Sequence, residues 1–426
     1  MAQASLGSGY RRLWLATAIS NVGDGIRDTA LPLLAAALTR DPFLVAVVAF
    51  ANRLPWLLLS LISGALVDRW DRRKVMTVAD AFRSGAVLAL GAAVLTGGAS
   101  VPLLCVVAFL LGAAETLFDN AAHAILPSVV GREHLERANG QLEAAMLIGN
   151  NFLGPAIGGV LFVAFAASPF FIDGVSFAVA AILIFTLRGH FRPQRSRAEG
   201  PETVIRSLRR DIGEGVKWLW GQSLLRTLSA MSAVINLVLH ATYAIFVLFA
   251  LEVLRLNEAA FGLLLVAEAV GSFLGALVAS RVSARFGARR TIVAAISLAA
   301  VANLLIGVSS QALFVGAMLI LLSVAGVIWN IITTSLRQSL VPDELLGRVN
   351  SAHRALAWGA IPLGALLGGF LGSSFGLRVP FLVAAAALAC LSVVALRALS
   401  KAAIADVDVP GPHGPSAEAV QAPLAS

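Results

Sequence analysis

Charged residues are scarce in this chain, where Asp, Glu, Lys and Arg make up 13% of 426 residues. Soluble globular domains carry about 25% charged residues, so the composition excludes that class. Hydrophobic residues make up 58% of the chain. They lie in runs of about 20 residues, which is long enough to cross a bilayer as a helix. Because only helices and closed barrels satisfy their backbone groups in lipid, and continuous apolar runs favour helices, we predict an all-α membrane protein.

Cysteine and histidine are also rare. Cys105 and Cys390 both lie in apolar runs, where a thiol behaves as a small hydrophobe, and no disulfide framework or metal-ligand spacing exists. The six histidines are scattered singly, and no nucleotide-binding loop is present. These absences argue against a membrane-embedded enzyme and against ATP as an energy source, and we expect neither a metal site nor a cofactor. The N-terminus lacks the pattern of a removable signal peptide.

The apolar runs predict twelve transmembrane helices. Their expected spans are 13–38, 43–67, 75–96, 101–125, 139–165, 169–187, 227–251, 259–280, 289–309, 311–336, 351–373 and 378–398. Loops on one side of the membrane collect most of the arginines, whereas the opposite side has only Arg40, Arg255 and Arg378. Because Lys and Arg stay on the cytoplasmic side, we predict a multi-pass protein of the cell membrane with both termini in the cytoplasm. This topology explains the net charge of +8 better than a nucleic-acid partner does.

Polar segments divide the chain into two halves. We predict a six-helix N-terminal half over 1–187, a cytoplasmic linker over 188–222, a six-helix C-terminal half over 223–400 and a disordered cytoplasmic tail over 401–426. The linker contains an apolar stripe with basic residues opposite it, which predicts an amphipathic helix on the membrane surface. The stripe consists of Val204, Leu208, Ile212, Val216 and Leu219.

An internal repeat relates the two halves. The tetrapeptide that begins at Gly64 returns at Gly275, 211 positions later, and the same offset relates Asp119 to Asn330. With six helices in each half, both copies run in the same direction through the membrane. Such parallel repeats are typical of a large transporter fold in which the substrate binds between the halves.

The loop between the second and third helices packs six charged residues into positions 68–74. Its signature residues are Gly64, Asp68, Arg69, Arg72 and Arg73. This pattern resembles the loop motif of the major facilitator superfamily, with Asp71 at a position where that family usually has glycine. The resemblance implies two six-helix halves and a cytoplasmic gate at this loop. We expect Asp68 to accept hydrogen bonds near Ser351 at the N-terminus of the eleventh helix, where the helix dipole favours an anion.

A second motif lies on the fifth helix. Gly154, Pro155, Gly158 and Gly159 resemble the glycine–proline motif of the antiporters in this superfamily, with Asn150 at the first position in place of glycine. The small residues let a neighbouring helix approach closely, and the proline removes a backbone donor and bends the helix. Other short matches resemble the drug and siderophore exporters, a group that includes macrolide efflux proteins. These matches begin at Gly23, Arg53 and Gly347.

The resemblance therefore implies a secondary active efflux transporter. It would export an amphipathic, drug-like or antibiotic-like small molecule by proton antiport with alternating access, powered by the proton gradient. The expected partners are this substrate, protons and the lipid bilayer, and the expected state is a monomer. Export of a siderophore or a lipid-like metabolite is an alternative, and proton-coupled import is a weaker one.

Ionisable residues within the spans are costly and are therefore functional candidates. Asp24, Arg27 and Asp28 share one face of the first helix, where they either bind protons or substrate or form a structural ion-paired cluster. Glu115 and Asp119 form an acidic pair on the fourth helix, suited either to proton binding or to pairing with a basic residue. We name Asp24 as the first choice for the coupling acid and Asp119 as the second.

Further polar and aromatic residues are candidates for the substrate cavity. Arg53 is a lone cation in the second helix that we expect to pair with Asp24 or Asp28. Trp329 and Trp358 either stack on a substrate or fill space, and Asp173 is a structural candidate. The remaining cavity candidates are Asn21, Asn236, His240, Tyr243, Glu268 and Asn330.

Overall fold

The structure is a computed structural model that describes residues 6–67, 69–189, 191, 213 and 216–399. Asp68, most of the linker and the tail over 401–426 lie outside the described residues, so the predictions made for them stay predictions. Within the described residues the chain forms twelve long helices and no strand. The helices are α1 (Gly7–Leu38), α2 (Pro42–Val67), α3 (Arg72–Leu95), α4 (Val101–Val129), α5 (Leu135–Ala164), α6 (Ser168–Phe185), α7 (Ser223–Val253), α8 (Glu258–Phe286), α9 (Ala288–Val308), α10 (Ala312–Leu340), α11 (Asp343–Phe375) and α12 (Val379–Ala398).

Eleven of these helices are long and apolar enough to cross a membrane. The exception by composition is α1, which is 32 residues long but carries Asp24, Arg27 and Asp28 near its middle. It packs against α5 and α6 as a member of the same bundle. The predicted all-α membrane fold is therefore confirmed.

Apolar packing differs between the two ends of the bundle. We call the end with the N-terminus and the α2–α3 loop the inner end, and the opposite end the outer end. At the outer end, one hydrophobic cluster receives buried side chains from all twelve helices. One member from each helix, in chain order, is Leu33, Val48, Leu90, Leu104, Phe162, Phe170, Phe246, Phe261, Ile306, Val315, Ala365 and Phe381. This outer cluster closes the bundle at that end.

Toward the inner end, the buried side chains divide into separate clusters. One cluster contains residues of α1 to α6, such as Leu13 and Ile125. Another contains residues of α7 to α10 and α12, such as Ile235 and Leu388. Each half thus has its own core at the inner end, while the two halves share one core at the outer end.

Equivalent contacts in the two halves reflect the internal repeat. At the start of α3, Arg73 donates a hydrogen bond of 2.8 Å to the carbonyl of Leu187, just beyond α6. At the start of α9, Arg289 donates one of 2.7 Å to the carbonyl of Leu396 in the last turn of α12. In each half, therefore, an arginine at the inner end links the third helix to the end of the sixth by a hydrogen bond.

Candidate functional site

A polar cavity of about 230 Å³ lies between the two halves. Asp28 and Arg53 line it from the N-terminal half, and Tyr243 and Glu268 line it from the C-terminal half. Each of the four lies ten or eleven residues from the outer end of its helix. At 1.5 Å per residue this distance is about 15 Å, so the four side chains lie at one level near mid-depth. The outer cluster lies directly beyond them, and we call this space the central cavity.

A smaller pocket of about 90 Å³ adjoins the central cavity. Asp28, Arg53 and Tyr243 line both spaces, and His240 lines the smaller one. The His240 Nδ1 atom lies 2.9 Å from the carbonyl oxygen of Asn236 in the same helix. That bond occupies one ring nitrogen and leaves the other for the pocket.

Arg27 is the centre of a buried ion cluster beside the central cavity. Its guanidinium lies 2.7 Å from Asp24, 2.9 Å from Asp28 and 3.1 Å from Asp173. The predicted pairing within α1 is confirmed, and Asp173 of α6 joins it as a buried third acid. A Cβ at Gly23 would overlap Ser176 and Asp173, so glycine at this position lets α6 approach α1 closely enough to form the cluster.

Arg53 does not take part in this cluster. No carboxylate of the described residues lies within 4.0 Å of its guanidinium, so the predicted pairing with Asp24 or Asp28 is wrong in this structure. Both acids turn instead toward Arg27, which reaches them from the same helix. Arg53 thus presents its positive charge to the central cavity.

A second buried ion pair lies on α3. Asp80 and Arg83 are paired at i, i+3 and both are buried. The Arg83 guanidinium lies 4.3 Å from the centre of the Phe177 ring and 4.6 Å from that of Phe118. Sequence reasoning missed this pair, although two opposite charges within an apolar run carry the same signal as those on α1.

A third space, of about 190 Å³, lies within the N-terminal half, and we call it the acidic cavity. Asp24, Glu115 and Asp119 line it together with Arg27 and Arg83. No described basic residue lies within 4.0 Å of Glu115 or Asp119, so these two acids form no ion pair in the described structure.

The acidic cavity adjoins the central cavity. Asp28 and Asn150 line both spaces, and Asn21 lines the acidic cavity rather than the central one. The acids of α1 and α4 thus form one polar region with the space between the halves.

The other predicted cavity residues take different positions. Asn236 packs against α11, where its amide donates a 2.8 Å hydrogen bond to the carbonyl of Ala357. Trp329 is buried in the core of the C-terminal half and fills space, whereas Asn330 is exposed. Trp358 is half-exposed, and its ring meets that of Trp56 edge to face at 6.2 Å across the two halves. The predicted stripe on α7 therefore contributes His240 and Tyr243 to the pockets described above, but not Asn236.

The glycine–proline motif of α5 packs on two helices. A Cβ at Gly154 would lie 2.5 Å from the Gly25 Cα in α1, and one at Gly159 would lie 2.5 Å from the carbonyl oxygen of Glu258 in α8. Just before Pro155, residues Leu147–Leu153 form a π-helix, and the Gly154 N–H bonds to the Gly149 carbonyl. Because proline cannot donate a backbone hydrogen bond, the helix adopts this wider turn at its approach to the motif.

The glycines of this motif recur in α11. Gly149, Gly154, Gly158 and Gly159 are each followed 210 positions later by another glycine. The copies are Gly359, Gly364, Gly368 and Gly369.

The copied glycines make equivalent contacts. A Cβ at Gly364 or Gly368 would overlap the backbone of α7, and one at Gly369 would lie 2.5 Å from the Ala46 Cβ in α2. Two glycine seams, α5–α8 and α2–α11, thus join the halves near the outer end.

Two arginines of the loop motif donate hydrogen bonds to backbone carbonyls of the N-terminal half. Arg72 donates a 2.8 Å hydrogen bond to the carbonyl of Ala124 in α4, and Arg73 binds the end of α6 as described above. Arg69 is exposed, and no atom of the described residues would lie within 4 Å of a Cβ at Gly64. The predicted gate contact of Asp68 lies outside the described residues. The predicted position of its partner is wrong, because α11 begins at Asp343 and Ser351 therefore lies within the helix rather than at its N-terminus.

Comparison with known proteins agrees with this architecture. The sequence profile described as "Transmembrane secretion effector" matches residues 6–419. The multidrug efflux pump Tap of Mycobacterium tuberculosis (strain ATCC 25618 / H37Rv) is 30% identical over 415 residues, which cover 93% of this chain and 96% of Tap.

Solved structures share the fold. A point mutant of the nucleoside transporter NupG superimposes with a TM-score of 0.75 at 11% identity, covering 92% of this chain and all of NupG. A bacterial homologue of the iron transporter ferroportin in its inward-facing state superimposes with a TM-score of 0.74 at 18% identity, covering 93% of this chain and all of that protein.

The twelve-helix bundle, its repeated halves and the nearly full-length profile match lead to one conclusion. The chain is a multi-pass membrane transporter, not an enzyme, and it belongs to the transmembrane secretion effector family of the major facilitator superfamily.

Proposed function

We propose that this protein is a proton-coupled efflux pump of the cell membrane that exports an amphipathic, drug-like small molecule by alternating access. The observation that carries the proposal is the asymmetry of packing. All twelve helices share one apolar cluster at the outer end, whereas the halves have separate cores at the inner end, with the central cavity in between. A transporter that loads its substrate from the inner side needs this arrangement in its loading state.

Three further features support export. The basic loops at the inner end favour a cytoplasmic location for that end, by the positive-inside rule. The relative Tap is named a multidrug efflux pump and covers nearly the whole chain. The glycine–proline motif of α5 forms one of the two seams between the halves, where a change of state must separate the helices.

Coupling to protons requires an acid in a cavity that both sides reach in turn. Asp24 fits this role because it lines the acidic cavity and its carboxylate lies 2.7 Å from the Arg27 guanidinium. Binding of a proton to Asp24 would release Arg27 toward Asp28 and Asp173. Proton binding and rearrangement of the ion cluster would then occur together.

The proposal is tested with inside-out membrane vesicles and ethidium, a fluorescent amphipathic cation. We expect vesicles with the protein to accumulate ethidium when a proton gradient is imposed without ATP, and a protonophore to abolish the accumulation. Vesicles from cells without the protein provide the control. Accumulation that requires ATP, or that survives the protonophore, would refute proton-driven export.

A further inference from the structure

A groove of about 820 Å³ lies between α3 and α4, and the transport cycle proposed above gives it no role. None of its lining residues lines the central or the acidic cavity. Several of its apolar side chains are exposed, including Val78 at 67% and Phe82 at 47%. In a membrane bundle such side chains face lipid.

The inner end of the groove is basic. Arg69 and Lys74 line it there, and both are exposed. Asp71 also lines it, but its carboxylate accepts a 3.3 Å hydrogen bond from the Lys74 backbone N–H as the N-cap of α3. Trp70 stands between Arg69 and Lys74 in the sequence. Its side chain also lines the groove and is half-exposed. Tryptophan at this depth is typical of the membrane–water interface.

The remainder of the groove is apolar. Lys74, Val78 and Phe82 follow one another at intervals of four residues, so they form one stripe along α3. Small and apolar residues of α4, including Ala113 and Leu117, form the opposite wall. The stripe is about 12 Å long at 1.5 Å per residue and runs from the charged end toward the middle of the bundle.

We propose that this groove is a binding site for an anionic phospholipid of the leaflet at the inner end. The phosphate group lies against Arg69 and Lys74, and one acyl chain lies along Val78 and Phe82. Basic pockets between membrane helices on the cytoplasmic side bind anionic headgroups in this way. A zwitterionic lipid binds less well, because its own ammonium group is repelled by the same two cations.

Native mass spectrometry of the purified protein tests this site, with phosphatidylglycerol and phosphatidylcholine offered at equal concentration. We expect one phosphatidylglycerol to be retained in preference to phosphatidylcholine. Since each cation near an anionic headgroup contributes about 1 kcal/mol, Arg69→Gln and Lys74→Gln should each lower retention about fivefold. Ala113→Phe fills the groove without changing its charge. It should lower retention of phosphatidylglycerol, because the acyl chain no longer fits.

The second half of the chain supplies the matched control. Arg285 and Arg290 stand 216 positions after Arg69 and Lys74, at the equivalent junction of α8 and α9. We expect Arg285→Gln and Arg290→Gln to leave phosphatidylglycerol retention unchanged. Equal retention of both lipids, equal loss in the control variants, or full retention after Arg69→Gln with Lys74→Gln would each overturn the assignment.

Discussion

At the scale of single residues, Arg27 governs the charge balance in the centre of the N-terminal half. Three carboxylates converge on its buried guanidinium, two from its own helix and one from α6. Such a cluster gives little net stability compared with an apolar core, but removing its one cation leaves buried negative charges without compensation. Arg27 therefore has a structural role, whatever its neighbours do in transport.

Replacement of Arg27 should accordingly cost stability. We expect Arg27→Gln to destabilise the protein by about 3–5 kcal/mol, the cost of breaking a buried ion pair. Thermal unfolding in detergent measures the effect, and adding Asp173→Asn should restore part of the loss. Arg40 lies 3.7 Å from Glu252 in an exposed pair, so Arg40→Gln should change stability by about 1 kcal/mol or less. Equal effects of the two substitutions would contradict the structural role of Arg27.

Replacement of Asp24 should act on coupling. We expect Asp24→Asn to abolish uphill export while still allowing substrate exchange down its own gradient, because Arg27 retains Asp28 and Asp173 as partners. Vesicle flux measured with and without a proton gradient separates the two activities. Asp119→Asn is the matched comparison, since Asp119 lines the same cavity and no described basic residue lies within 4.0 Å of its carboxylate. Full uphill export by Asp24→Asn with unchanged pH dependence would assign coupling to another acid.

The charged residues within the helices show how much of the site residue type and spacing predict without a structure. The rule that membrane charges are functional candidates identified Asp24, Arg27 and Asp28, and their spacing predicted their pairing. It applies equally to Asp80 and Arg83, two opposite charges within an apolar run. The position of Arg53 was not predictable in this way, since its distance from every described carboxylate depends on how α2 is rotated against α1.

At the scale of helices, the outer ends were predicted better than the inner ends. The predicted ends of α1 and α2 at the outer side lie within one residue of the observed ends. At the inner side, α11 begins at Asp343 rather than near 351, and α8 ends at Phe286 rather than near 280. Both helices continue past the apolar run into charged residues. Their inner ends were mispredicted because hydropathy detects the part of a helix that lies in the hydrocarbon layer, not the whole helix.

The duplicated glycines predict that close packing at the two seams keeps the outer end of the bundle closed. In Gly159→Ala, the new methyl group would meet the backbone of α8, and overpacking of this kind costs about 1–3 kcal/mol. We expect this substitution to weaken closure of the outer end and to favour a state open on that side. Gly140 lies on the same helix, and no atom of the part of the chain that the structure describes lies within 4 Å of its Cβ position, so Gly140→Ala should have no such effect.

At the scale of the whole molecule, the two ends should differ in access to water. In a variant without Cys105 and Cys390, we expect Arg354→Cys to react with an impermeant maleimide from the inner side, since Arg354 is exposed beside Trp358. Ala365→Cys lies in the outer cluster and should resist labelling from the outer side until Gly159→Ala is added. Labelling of Ala365→Cys from outside without Gly159→Ala would contradict closure of the outer end.

The repeat and the two-half architecture followed from the sequence, because an offset of 211 residues and twelve apolar runs leave few alternatives. The state of the bundle did not follow from it. Whether the halves touch at the outer or the inner end depends on a small free-energy difference between two packings of the same helices. The sequence contains the glycines of both seams, but only the structure shows which contacts they make.

The shared apolar cluster at the outer end also gives the transport cycle a thermal signature. Opening that end brings water to the part of the cluster that lies between the halves, and hydration of apolar surface raises the heat capacity. The equilibrium between the two states should therefore give a curved van't Hoff plot rather than a straight one. Because hydrophobic association weakens on cooling, the closed outer end should loosen in the cold. The working temperature of the transporter would then influence which end of the bundle is open at rest.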